Sequence, residues 1–259
     1  MSHEILRPRR TFPATWQAKM DEFATQGLIP GAVIIVKSPI WGVRVGTTGY
    51  ANLEKKTRIS PDQQFRVGSV TKVFTGQLVL QLEQQGKLRL SDPILKYLGD
   101  NSVVAAIPNI GKVTVAELLQ MKTGIPNYLE YPSIKYSPDI WPEKQFTPND
   151  LLVVLTPSVP GYLKPLFAPG DTIPNGYAQY GDTTQPVPAW NYSNSNYILL
   201  GLLIEKVTGL SLTEATQKMI CDPAGLKDTF FAKDGSFPTD MIRGYTKLDA
   251  ARNPRYSDW

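Results

Sequence analysis

Phe65-Arg66-Val67-Gly68-Ser69-Val70-Thr71-Lys72 runs directly into Val73-Phe74-Thr75-Gly76-Gln77-Leu78-Val79-Leu80-Gln81-Leu82. Val70, Val73, Phe74, Leu78 and Leu82 recur at helical spacing, and Gly86 stands where a C-terminal cap belongs. The spacing predicts a largely buried helix over 69–85. Residues three apart on a helix share a face, so Ser69 and Lys72 can approach within hydrogen-bond range. The helix start beside them favours developing negative charge. A hydroxyl next to an amine is the arrangement of an activated serine nucleophile, with a desolvated lysine able to act as base. Alone the pattern is weak, because roughly one Ser-x-x-Lys pair is expected by chance in a chain this long. An isolated pair is usually a solvated helix start.

Composition narrows the chemistry open to that serine. His3 is the single histidine and Cys221 the single cysteine of 259 residues. One His in an N-terminal tail cannot build a Ser-His-Asp triad, and one His with one Cys cannot supply the ligands of a zinc site. No metal or other cofactor is expected, and the base must be Lys or Tyr. Cys221 reads as a small core residue, and intrachain disulfides are impossible. With 42% hydrophobic and 19% charged residues the chain is globular, sized for one large domain or two modest ones. The net charge of +4 comes from scattered Lys and Arg, with only Arg7, Arg9 and Arg10 clustered. That is a solvated tail and not a nucleic-acid surface. No stretch approaches the roughly 18 apolar residues of a membrane span, and residues 1–10 lack the apolar region of a signal peptide. With Met1 as the native start the protein is expected in the cytoplasm; with a leader missing, in the periplasm or outside the cell.

A second polar element, Trp190-Asn191-Tyr192-Ser193-Asn194-Ser195-Asn196-Tyr197, precedes the apolar helix 198–207, which should close at Gly209. Tyr192 and Asn194, two apart, can face one cleft. A cationic Lys72 nearby would hold Tyr192 near its anionic form, able to exchange protons with Ser69 and a leaving group. Asn194 can donate to a substrate carbonyl and accept from Lys72. By itself Tyr-Ser-Asn reads more readily as a helix cap with a packed aromatic.

The remaining elements carry their own punctuation. Residues 32–37 form a β-branched run after Pro30-Gly31, and 41–47 alternate as a hairpin partner. Asp92-Pro93 should open a short helix. Thr114-Val115-Ala116-Glu117 and Ser211-Leu212-Thr213-Glu214 fit the capping box, and Thr147-Pro148 precedes an apolar run at 151–155. Pro- and Gly-rich segments at 126–148 and 157–188 are long enough to line a site.

Together these segments resemble one family: class C serine β-lactamases, with the DD-peptidases and family VIII esterases of the same fold. The resemblance rests on 65–72, Gly86-Lys87-Leu88-Arg89-Leu90-Ser91-Asp92-Pro93, Leu118-Leu119-Gln120-Met121-Lys122-Thr123-Gly124-Ile125-Pro126, Phe167-Ala168-Pro169-Gly170 and Tyr192-Ser193-Asn194, in the family's order. It implies an α/β (α+β) fold of the β-lactamase/transpeptidase type, an antiparallel sheet region plus an all-helical region. Residues 1–65 would begin the sheet region, 66–210 would be helical and carry the site, and 211–259 would return to the sheet. It further implies Ser69 as acylated nucleophile, Lys72 and Tyr192 as joint proton carriers, and Asn194 as a substrate contact. The partner would be a small-molecule or peptide substrate, a β-lactam, a D-Ala-D-Ala peptide or an ester. The oligomeric state is left open.

Two departures from the family pattern stand out. The family's third motif, Lys-Thr-Gly or His-x-Gly on a sheet strand, supplies half the oxyanion hole. Lys122-Thr123-Gly124 spells it but precedes Tyr192, in the place of the family's His-Thr-Ser-Gly loop after a helix. After Tyr192 neither version occurs. Relatives would continue for roughly another hundred residues, so the expectation is a fragment without its last sheet strands, or a non-catalytic binding remnant. Losing one oxyanion donor typically costs about 10²- to 10³-fold in rate. The segment 171–189 is longer than in most relatives and is expected as an insertion above the cleft, with Tyr177 and Tyr180 shaping access.

Overall fold

The computed structural model describes residues 11–135, 144–173, 187–232, 238–246 and 257–258. His3, Arg7, Arg9, Arg10, Tyr177 and Tyr180 lie outside the described residues. The chain forms two compact units, Met1–Gly68 with Ser236–Trp259, and Ser69–Gly235.

In the first unit helix α1 (Ala14–Thr25) is followed by β1 (Gly31–Ser38), β2 (Gly42–Asn52) and β3 (Thr57–Arg58) in one antiparallel sheet of order β1-β2-β3. Gly27 closes α1 in the left-handed conformation, with Leu28 N–H donating to Phe23 O and Gly27 N–H to Ala24 O. The hairpin register pairs Ile34 with Gly46. A Cβ at Gly46 would lie 2.6 Å from the Phe12 ring, so the glycine is what lets the chain leading into α1 lie against β2. Gln17 Nε2 donates to Thr47 O at 2.9 Å and Thr48 Oγ1 to Asp21 Oδ1 at 2.6 Å, tying α1 to the same strand. Late in the chain the backbone returns to this unit. Ile242 N–H donates to Gln64 O, Arg243 N–H to Ala51 O, and the Tyr245 hydroxyl accepts from Leu53 N–H. Tyr245–Thr246 (β6) pairs with Ser257–Asp258 (β7).

Among its described residues the second unit is helical apart from one short ladder, β4 (Thr172–Ile173) with β5 (Val187–Pro188), where the two ends of the expected insertion pair. A single 3₁₀ turn, Gly68–Val70, leads into α2 (Thr71–Gln84). Short helices α3 (Leu95–Leu98), α4 (Ser102–Ala105), α5 (Val115–Gln120), α6 (Pro132–Lys135) and α7 (Pro148–Leu152) follow. The long helix α8 (Asn194–Thr208) comes next, then α9 (Leu212–Thr216), a π turn (Gln217–Cys221) and α10 (Asp222–Ala224). The core gathers Leu78 and Leu82 from α2, Leu118 from α5, Leu152 from α7 and Leu199, Leu203 and Ile204 from α8. Capping boxes at Thr114, Thr147 and Ser211 are all formed. Gly86 and Gly209 close α2 and α8 with positive φ, and Lys87 N–H donating to Leu82 O completes the turn at Gly86.

Three sequence expectations change. The helical unit runs to Gly235 and not to 210, because Ala215 and Cys221 are buried in it and Leu212, Met219 and Ile220 pack on its core. Helix α2 buries one stripe, Thr75, Leu78, Val79 and Leu82, while Val73 is 68% exposed. Val73 lies about 140° around the helix from Leu78, off the stripe. Asp92-Pro93 does not open a helix directly, since α3 begins at Leu95. The Asp92 carboxylate is taken up by Arg89 N–H, Lys96 Nζ and the Tyr97 hydroxyl, and its backbone carbonyl by Val115 N–H.

Candidate active site

Ser69 occupies the 3₁₀ turn ahead of α2, and Lys72 the first turn of the helix. Gly68 enters that turn at φ +52°, a conformation that a β-carbon disfavours, which makes the sharp approach to the helix available here. Tyr192 and Asn194 come from the run into α8. All four side chains converge. Ser69 Oγ lies 2.7 Å from Tyr192 Oη, and Lys72 Nζ donates to Ser69 Oγ at 3.2 Å and to Asn194 Oδ1 at 2.6 Å. The Lys72 ammonium lies 4.9 Å from the Tyr192 ring centroid and 5.6 Å from that of Tyr197. Ser69 and Tyr192 are exposed, so a substrate carbonyl can reach the hydroxyl.

Electrostatics separate Tyr192 from its neighbours. Burial pushes its phenol up, but the Lys72 ammonium and the Ser69 hydroxyl beside it outweigh that and leave it below the ordinary value. Tyr128 and Tyr197 go the other way, raised first by burial and then by the charge of Tyr192. Of these three phenols, Tyr192 is the one tuned to give up its proton.

Residues 192–197 alternate in what they face. Tyr192 and Asn194 meet Ser69 and Lys72, whereas Ser193 and Ser195, both fully buried, donate to a single acceptor, Pro126 O, at 3.0 and 2.6 Å. Ser195 Oγ also accepts from Tyr128 N–H at 3.0 Å. Thr123 Oγ1 donates to the buried Asn196 Oδ1 at 2.8 Å, and the Tyr197 hydroxyl to Leu119 O at 3.2 Å. This seam stitches the loop after α5 to the start of α8. Sequence reasoning singled out 192 and 194 and missed 193, 195, 196 and 197. The available signal was a run of small polar residues placed where a buried helix begins, since buried polar side chains require partners.

Lys122-Thr123-Gly124 lies in that loop and not on a strand. A Cβ at Gly124 would sit 1.9 Å from Phe167 O, so the glycine is needed for the approach of the Phe167-Ala168-Pro169-Gly170 segment. Among the described residues no three His, Cys, Asp or Glu side chains gather as a metal site, and no helix is long and apolar enough to cross a membrane.

A family profile described as Beta-lactamase matches residues 16–258, and the chain belongs to that family. Its fold is of the β-lactamase/transpeptidase type, with helices and an antiparallel sheet. Among solved structures it is similar to the D-stereospecific amidohydrolase of a Streptomyces species, with TM-score 0.70 and 29% identity over 95% of this chain and 64% of that one. Among curated proteins of Staphylococcus aureus it is similar to Protein flp of strain MW2, 30% identical over 80% of this chain and 36% of that protein. It is also similar to a teichoic acid D-alanine hydrolase, 26% identical over 88% of this chain and 47% of that protein. The chain thus spans between about a third and a half of the length of these two curated relatives.

Proposed function

We propose that this chain carries the acylation site of a serine hydrolase that cleaves an amide or ester through an acyl-Ser69 intermediate. The observation that carries the reading is the convergence of Ser69 Oγ with Tyr192 Oη at 2.7 Å and with Lys72 Nζ at 3.2 Å. In the acylation step the Tyr192–Lys72 pair takes the Ser69 proton as Oγ bonds to the acyl carbon. The tetrahedral adduct collapses, the bond to the leaving nitrogen or oxygen breaks, and that atom receives the proton. Water then attacks the acyl-enzyme, its proton passing to the pair and back to Ser69 Oγ as the acid departs. Asn194, held by Lys72 through its carbonyl oxygen, keeps its amide N–H groups for the substrate carbonyl side.

The names of two relatives, a D-stereospecific amidohydrolase and a teichoic acid D-alanine hydrolase, favour a D-aminoacyl amide or ester as acyl donor over a β-lactam.

A fluorophosphonate probe should add one label to the chain, on the peptide bearing Ser69, and none to Ser69→Ala. A correctly folded wild-type chain that takes no label would overturn the proposal. Steady release of D-alanine from a D-alanyl ester, lost in Ser69→Ala, is the expected turnover, while hydrolysis of a chromogenic β-lactam alone would reassign the substrate.

A further inference from the structure

The charge on Lys72 is held in an unusual way. Among the described residues no carboxylate lies within ion-pair distance of its ammonium. Its neighbours among the described residues are neutral: Ser69 Oγ, Asn194 Oδ1 and the rings of Tyr192 and Tyr197. Three of these belong to groups that bond the nucleophile or face substrate. Tyr197 is different. It sits on the first turn of α8, half-buried, with its hydroxyl donated to Leu119 O at the end of α5 and its ring 5.6 Å from Lys72 Nζ.

We propose that Tyr197 is a positioning residue for this site, its ring face holding the Lys72 ammonium against Ser69 and Asn194 in place of a carboxylate. A carboxylate there would compete with Ser69 and Asn194 for the ammonium's donors, whereas an aromatic face attracts the cation and leaves all three donors free. The hydroxyl bond to Leu119 O anchors the far end of the side chain, and packing against the core holds the ring where it is. Burial raises the Tyr197 phenol, with the Tyr192 charge adding to it, so it remains a donor to that carbonyl while Tyr192 titrates. The rate consequence of this inference rests on the acyl-transfer reading above, but the contact itself does not.

The test compares Tyr197→Phe, which keeps the ring, with Tyr197→Leu and Tyr197→Met, which remove it. In protein carrying ¹³C at the lysine ε-carbon, the Lys72 methylene signal, assigned by its loss in Lys72→Arg, should be shifted by ring current. It should stay in place in Tyr197→Phe and move toward the free-lysine position in Tyr197→Leu and Tyr197→Met. The rate of Ser69 labelling by the fluorophosphonate should fall about 3- to 30-fold in the two aliphatic variants and stay within about twofold in Tyr197→Phe. Thermal unfolding midpoints identify any variant that has lost its fold, leaving the other to decide. An unmoved Lys72 signal in a folded aliphatic variant overturns the proposal, as does a Tyr197→Phe rate as low as theirs. A wild-type chain that takes no label overturns the acyl-transfer reading instead, and the Lys72 signal alone then decides the role of Tyr197.

Discussion

The helical unit and the sheet unit solve the burial problem differently. In the helical unit Leu78, Leu82, Leu199, Leu203 and Ile204 reach zero exposure, and every helix from α2 to α9 contributes to the central cluster. In the sheet unit the interior is thin, chiefly Phe12, Met20, Ala51 and Ile59, while Trp16, Phe23, Leu28, Ile35 and Trp41 stand exposed. Ser69, Lys72, Tyr192 and Asn194 all belong to the helical unit. Close-packed cores transmit strain and hold side chains in rotamer minima, so a constellation that must keep distances of about 3 Å belongs on the unit whose core is closed.

Substitutions that treat the two units alike should therefore give unlike results. Leu203→Ala, at the centre of α8, should cost about 3 kcal/mol in urea unfolding followed by circular dichroism, and a loss below about 1 kcal/mol would show that the helical core is not closed around α8. Next in size is the seam beneath the site. Ser195→Ala leaves the Tyr128 N–H without its acceptor and Pro126 O with one donor fewer, at a cost of about 1–2 kcal/mol. It should slow Ser69 labelling as well, and Ser195→Thr should recover part of the rate. Equal labelling by wild type and Ser195→Ala would make the seam a matter of stability alone.

Charge gives a smaller and more specific contrast within the helical unit. Followed by tyrosinate absorbance, Tyr192 should ionise at lower pH than Tyr128 or Tyr197, since its phenol is held down and theirs are raised. Assignment comes from the signal lost in Tyr192→Phe. Lys72→Met removes the cation that lowers the phenol, so the Tyr192 midpoint should move up; a midpoint unchanged in Lys72→Met would separate the two groups electrostatically. The least effect is expected in the sheet unit, where Ile35→Ala, at a site 60% exposed, should stay within about 0.5 kcal/mol of wild type. A cost near that of Leu203→Ala would erase the contrast between the units.

Much of the helical unit was legible because its signals are local. The boxes at Thr114 and Ser211 need only four consecutive residues, and Gly86 and Gly209 need only follow an apolar run. The Ser69–Lys72 approach is likewise a property of one helical turn. The stripe of α2 was less legible: its apolar residues outnumber those buried, and azimuth alone separates Val73 from Leu78. Asp92 misled for a related reason. Its side chain had several donors within reach, and Arg89, Lys96 and Tyr97 won over the backbone of the next helix. The outer boundary of the helical unit was misplaced because a capped helix reads the same whether it packs on a sheet or on other helices.

Ser69, Lys72 and the Tyr192–Asn194 pair were singled out by residue identity and short spacing, together with the exclusion of histidine as base. Their assembly was decided in three dimensions. Tyr192 reaches Ser69 across 123 positions of sequence and Asn194 reaches Lys72 across 122. The acceptor that orients Ser193 and Ser195 is a backbone carbonyl that no residue letter encodes. Spacing along a helix fixes neighbours within a turn, but it carries no information about which distant carbonyl a buried hydroxyl will meet. That is set by the packing of α8 against α2 and α5, and so the pinning of Tyr192 and Asn194 is a product of the core.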